Sequence, residues 1–190
     1  MSKVIFTFIL GLAAMSSVPN TTTWSADPAH TKVGFTVTHM LVSDVGGYFK
    51  NVTASVSCTK DDFTDAVAEF TAQTNSVFTD NEQRDGHLKS SDFFDAEKYS
   101  TISFKSISFK KASGNNYTIS GDLTIHGVTK PVILTAIAKV SENPISKKTI
   151  AGFKITGEIK RTDFNLGATI PAVIVSNEVA IVANAELIKQ

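Results

Sequence analysis

His30, His39, His87 and His126 are the only histidines in this 190-residue chain, and Cys58 is its only cysteine. Imidazole nitrogen and thiolate sulfur are the ligands a transition metal favours, and two histidines four residues apart on a helix would face one ion. No two stand at that spacing, so a metal centre requires the fold to gather them from distant segments. A lone cysteine excludes an intramolecular disulfide framework and a cysteine-based zinc site. A metal-dependent enzyme working through the histidines is thus one candidate. The competing expectation is no metal, with neutral imidazole acting as a hydrogen-bonding group.

Arg84, Asp85 and His87 form a dense polar cluster. A guanidinium there can clamp a phosphate or carbonyl headgroup. Equally, the cluster can tie its segment to the rest of the fold, because a charge withdrawn from water needs partners. No hydrolase elbow, phosphate-cradling glycine loop or metalloprotease signature occurs, so the motifs assign no catalytic residue and no cofactor.

The elements that must position these groups are strands. From Lys32 onward apolar and small polar residues alternate with period two, the mark of strands with one packed and one wet face. Val33, Phe35 and Val37 share a face, as do Val52, Ala54, Val56 and Cys58, and Ala68, Phe70 and Ala72. Ile102 and Phe104 begin another run whose phase slips at Ser106, which predicts a bulge and brings Ile107 and Phe109 onto the other parity. Runs at 117–125, 132–140, 153–159 and 179–187 follow, separated by turn-forming Gly114, Asn115 and Asn116 and by Asn143 and Pro144. Gly46 and Gly47 read as a bend. The stretch from Ser76 to Tyr99 breaks the pattern and predicts one or two short helices, one of them a capped turn beginning at Asp92.

Short connections make consecutive strands antiparallel, and eight alternating strands with one apolar face close most naturally into an all-β, up-and-down barrel. An interior of that size is either filled by side chains or holds one slender ligand. Small inward residues (Ala54, Ala68, Ala72, Ala136, Ala138, Ala183, Ala185, Gly121, Gly157) would leave an elongated apolar void, or would merely accommodate Phe35, Phe70, Phe104, Tyr117 and Phe153 across the core. His39 shares the parity of Phe35 and Val37 and points inward, as a core histidine or as a polar contact near a ligand.

Eighteen basic and eighteen acidic residues, with no block of one sign, argue against electrostatic capture of nucleic acid or of an anionic membrane. Residues 1–20 carry Lys3, then the apolar run Val4 to Ala14, then small polar residues, the order of a secretory signal peptide. The run is too short to span a bilayer, which predicts a mature chain from about residue 21 without an integral membrane segment, in the periplasm or secreted, the alternative being an uncleaved membrane anchor.

Four blocks carry a more specific signal. The first is Asp27, Pro28, Ala29 and His30 followed by Val33, Phe35, Val37 and His39, with Val45, Gly47 and Phe49 after it. The second runs through Asn75, Ser76, Val77, Thr79 and Asn81 to Arg84, Asp85, Gly86, His87, Leu88, Lys89, Ser90 and then Asp92, Phe93, Phe94 and Asp95. The third is the stretch from Gly121 to Val132, and the fourth comprises Arg161, Thr162, Asp163 and Phe164 with Ser176, Asn177, Glu178 and Val179. In these the chain resembles the YceI-like family of secreted, lipocalin-like, polyisoprenoid-binding proteins. It departs from the family pattern at Ser100, where a proline is usual, and at Asn165, where a glycine is usual. The resemblance implies an eight-stranded antiparallel lipocalin-like barrel over residues 21–190 with a hydrophobic tunnel for an amphiphile such as a polyprenyl lipid or an isoprenoid quinone. It implies a carrier or store, not an enzyme. The residues expected to grip the tail are Phe35, Val37, His39, Phe49, Phe70, Phe104, Leu123 and Phe153, with Arg84 and His87 at the head. A filled-barrel protective protein remains the structural alternative, and a homodimer is a further expectation.

Overall fold

The structure is a computed structural model and describes residues 20–190, so the leader expected at the N-terminus lies outside the described residues save for its last position. The strands are β1 (Thr22–Ala26), β2 (Lys32–His39), β3 (Ser43–Phe49), β4 (Val52–Cys58), β5 (Val67–Gln73), β6 (Val77–Phe78), β7 (Thr101–Lys111), β8 (Asn116–Ile125), β9 (Val128–Glu142), β10 (Thr149–Lys160) and β11 (Glu178–Lys189), with one helix, α1 (Glu82–Lys89). Every ladder is antiparallel. The order β1-β4-β5-β7-β8-β9-β10-β11 returns to β1, which closes an eight-stranded barrel and removes its edges.

The expected count of eight holds, but the closing strand is β1, not the run containing Val33 to Val37. β11 offers one edge to two partners: residues 187–189 pair with β1 and residues 180–184 with β2. Between them Asp27 accepts from Ala29 N and opens a 3-10 turn containing Pro28, whose missing N–H interrupts a ladder. β2, β3 and β6 then continue the sheet beyond the ring. Five residues with one large apolar side chain, Trp24, are too few for a periodicity reading, which is why β1 escapes it.

Gly46 and Gly47 are not a bend; both pair within β3. Gly47 is required by a close approach, since a Cβ there would stand 2.6 Å from both the Phe35 ring and the Thr79 methyl. The bulge in β7 is present, between Ser106 and Ser108. It restores Phe109 to the interior but leaves Ile107 as the extra residue, 70% exposed, contrary to its expected parity. The β8–β9 hairpin turns on His126 (φ 51°) and Gly127 (φ 73°), the pair of positive φ values that a two-residue turn of matching twist needs.

Helix α1 lies in the polar stretch and is capped by Asn81, whose Oδ1 accepts from Arg84 N at 2.9 Å. The segment from Asp92 is a series of turns, not a second α-helix: Phe94 N donates to Leu88 O and Ala96 N to Lys89 O, which folds the chain back on α1. Phe93 and Phe94 are buried by this folding. Among the described residues no helix is long and apolar enough to cross a membrane.

Candidate functional site: a cavity closed at one end

The barrel interior is neither solid nor hollow throughout. Near the start of β1 and the end of β11 it is packed with rings: Trp24 against Phe63 (centroids 5.5 Å apart), Phe63 against Phe153 (5.2 Å) and Phe109 against Tyr117 (5.2 Å). Phe63, 2% exposed, reaches in from the β4–β5 loop on a left-handed backbone (φ 58°), a costly conformation for a bulky residue that the surrounding bonds hold in place. Asp65 accepts from the backbone of Thr59 and Lys60, and Tyr117 Oη donates to Asp62 O at 3.0 Å. Burial pushes the Tyr117 phenol and the Cys58 thiol up from their usual values, so both stay neutral within this plug.

Above the plug lies a cavity of about 490 Å³ whose floor is Phe109, Phe153 and Leu187. Its wall includes Ala54, Ala68, Phe70, Phe104, Ile119, Leu123, Val132, Ile155, Ile181, Ala183 and Ala185. From Val179 to Leu187 the lining follows β11 for eight steps, about 26 Å at ~3.3 Å per residue. The volume falls in the range of small-molecule sites, roughly 300–1,000 Å³.

The small inward residues divide between the two expected roles. Ala54, Ala68, Ala183 and Ala185 line the cavity. Ala72, Ala136 and Ala138 lie in packed core and do not line it, while Gly121 and Gly157 yield their space to Phe104 and Leu134. Small residues therefore border the void at some positions and make room for neighbouring side chains at others.

At the other end the lining changes character. Thr79, Arg84, His87 and Leu88 come from β6–α1, Val37, His39 and Val45 from β2 and β3, and Ile170, Ile174 and Val175 from the β10–β11 connection. Thr79 organises the polar side. Its N and Oγ1 donate to Asp85 Oδ1 at 2.8 and 2.6 Å, while Arg84 donates from Nε to Thr79 Oγ1 (2.8 Å) and from Nη2 to Thr79 O (2.7 Å). The cluster thus does tie α1 to the barrel. Arg84 has no carboxylate in direct ion-pair range among the described residues and meets the buried Asp85 carboxylate only through Thr79 Oγ1. His87 sits edge-on to Phe93 and its Nε2 lies 3.2 Å from Asp92 Oδ2. His39 is half-buried at this end and is not packed into core.

Phe35, Val37, His39, Phe49, Phe70, Phe104, Leu123, Phe153, Arg84 and His87 are all brought to this one cavity. Periodicity missed Arg161 and Phe63. Arg161 is 3% exposed, and each of its five N–H groups meets a backbone carbonyl: Nε to Ser176, Nη1 to Leu166 and Gly167, Nη2 to Ile170 and Val175. Burial without a carboxylate partner lowers its pKa, and the carbonyl dipoles take the place of a counter-ion. Its only signal in sequence is membership of the fourth block. The histidines form no shared centre: among the described residues the one group of potential metal ligands within mutual reach is Asp27, His30 and Glu186, on the outside of the barrel end.

Residues 24–187 match the YceI-like domain. The chain belongs to the YceI-like family. It is 36% identical over 163 residues to the protein YceI of Escherichia coli, covering 85% of this chain and 83% of that one. Burkholderia cenocepacia BcnA superimposes with a TM-score of 0.76 at 26% identity, over 85% of this chain and 98% of BcnA. A domain from Saccharophagus degradans, described as polyisoprenoid-binding and implicated in plant cell wall breakdown, shares the fold with a TM-score of 0.64 at 16% identity, over 88% and 98% of the two chains. Within this YceI-like barrel Asn165, at the position where the family usually has glycine, adopts a left-handed backbone (φ 59°), the conformation asparagine tolerates best after glycine.

Proposed function

We propose that this YceI-like protein binds, and thereby stores or carries, one long-chain isoprenoid amphiphile, a polyprenyl lipid or an isoprenoid quinone, in the periplasm or after secretion. The observation that carries this reading is the asymmetry of the cavity: an apolar floor at Phe109, Phe153 and Leu187, and an opposite end with the Arg84 guanidinium, which has no directly paired carboxylate among the described residues, and imidazoles at His39 and His87. An amphiphile matches that gradient, tail down and head up. Each methylene removed from water contributes up to ~0.8 kcal/mol, so the tail supplies affinity and the head supplies orientation.

Support from relatives is the description of the Saccharophagus degradans domain as polyisoprenoid-binding, a statement about that protein whose likeness to this chain is one of fold. The test is mass spectrometry of organic extracts from gently purified protein, paired with uptake of prenyl and acyl probes. The expected result is one prenyl-chain lipid per barrel. Recovery of no lipid together with no uptake defeats the reading. Arg84→Gln separates head from tail: it is expected to weaken a phosphate- or carbonyl-headed prenyl probe and to spare a hydrocarbon one.

A further inference from the structure

Met40 (52% exposed), Leu41 (70%) and Val42 (84%) stand out from the β2–β3 hairpin, and Val173 (58%) and Ile174 (37%) from the β10–β11 connection. The two segments are joined: Met40 N donates to Ile174 O at 3.0 Å, Ser176 N to Thr38 O at 2.9 Å, and His39 and Val175 form a bridge. Together they make one apolar lip. Its inner residues, His39, Ile174 and Val175, line the cavity, so the apolar surface runs without a break from the lip into the interior.

Neither residues 33–43 nor residues 164–177 contain Lys, Arg, Asp or Glu. That distinguishes the lip from the barrel wall, where exposed Ile133 and Ile137 alternate with threonines and charged residues. Met40 (φ 51°) and Leu41 (φ 63°) hold left-handed backbone, an unfavourable state for large side chains that presents both of them to solvent. The facing segment is held in shape by the five Arg161 hydrogen bonds. An uncharged, apolar lip continuous with a lipid-sized cavity suits a partner that is apolar beneath its surface and requires no ion pairs.

We propose that this lip docks on the surface of a lipid bilayer, inserting Met40, Leu41, Val42 and Val173 at the boundary of headgroups and acyl chains, and so opens the cavity directly to membrane lipid. The proposal rests on the lipid-binding reading above. Insertion of uncharged side chains depends on buried apolar area and not on anionic lipid, so it resists salt.

The test uses residues 20–190, which hold every described element, with phosphatidylcholine vesicles. Leu41→Asp/Val42→Asp and, separately, Val173→Asp place charge at exposed positions that do not line the cavity; aspartate also tolerates the left-handed backbone at position 41, and thermal melts verify the fold. The unsubstituted chain is expected to sediment with vesicles equally at low and high salt. Each variant is expected to lose about tenfold or more in partitioning and in the rate of drawing a fluorescent prenyl lipid from vesicles, with uptake of the same probe from dilute solution unchanged. Equal partitioning of all chains, no partitioning by the parent, or binding that needs anionic lipid and disappears in salt overturns the proposal. So does a lip charge that converts a dimer to a monomer while vesicle binding stays as it was, which makes the lip a self-association face. Failure of every chain to take up the probe from solution sinks the lipid-binding reading by itself, and the vesicle measurement still judges the lip.

Discussion

Phe104 lays its ring where a side chain on Gly121 would stand: a Cβ at position 121 would lie 2.5 Å from the ring and 2.5 Å from Lys105 O. The ring is part of the cavity wall, so the glycine sets where that wall runs. Gly121→Ala must displace backbone as well as ring, and overpacking of this kind costs about 1–3 kcal/mol. Thermal unfolding is expected to fall by roughly 2–4 °C for each kcal/mol in a chain of this size. An unchanged midpoint would show that the wall yields freely.

The two roles of the small inward residues can be separated by filling them. Ala68→Phe projects into the cavity and is expected to cut uptake of a prenyl probe about tenfold with little loss of stability. Ala138→Phe, in the packed end, is expected to cost about 1–3 kcal/mol and to leave uptake largely intact. Probe titrations beside urea denaturation measure both, and the opposite pattern would reverse the assignment of cavity and plug.

Arg161→Met removes five donors from backbone carbonyls, one of which, Gly167 O, also accepts Ile170 N. Losing a buried, fully hydrogen-bonded charge site costs about 3–5 kcal/mol, though the freed loop can recover part of this by hydrating its carbonyls. Lysine cannot restore the fork of donors. Hydrogen exchange is expected to rise at residues 166–176 before the barrel strands are affected. Uniform exchange across the chain would mean that Arg161 stabilises the whole fold and not this segment.

His30 Nδ1 lies 2.9 Å from Asp27 Oδ2, which raises the imidazole above its ordinary 6.5 and, with the Ala29 N–H, lowers the carboxyl below 3.8. The histidine's contribution is fully present below about pH 6.5 and is lost as pH rises through its raised value; the aspartate's is present above 3.8 and is lost as pH falls through its lowered one. Both groups face solvent, so the effect on stability is small and the titration itself is the observable. An NMR titration is expected to place His30 above the usual midpoint and to move it back toward that value in Asp27→Asn, with Glu186 keeping part of the rise. A midpoint indifferent to that change would remove the pair.

Local chemistry was legible in the sequence wherever a residue's fate depends on its near neighbours. The pleat alternates side chains, so Phe35, Val37 and His39 could be put on one face and Phe70 and Phe104 on the inside of their strands without knowing what they pair with. The phase slip at Ser106 announced the bulge. Tertiary structure alone decided the rest. β1 closes the barrel by pairing Trp24 with Lys189, a contact no local pattern encodes. Phe63 becomes the plug only because the β4–β5 loop turns inward, and Arg161 becomes the anchor of the lip only because five carbonyls converge on it. Whether an alanine borders a void or backs a ring depends on the summed volume of side chains arriving from several strands, which Ala68 and Ala138 resolve in opposite ways.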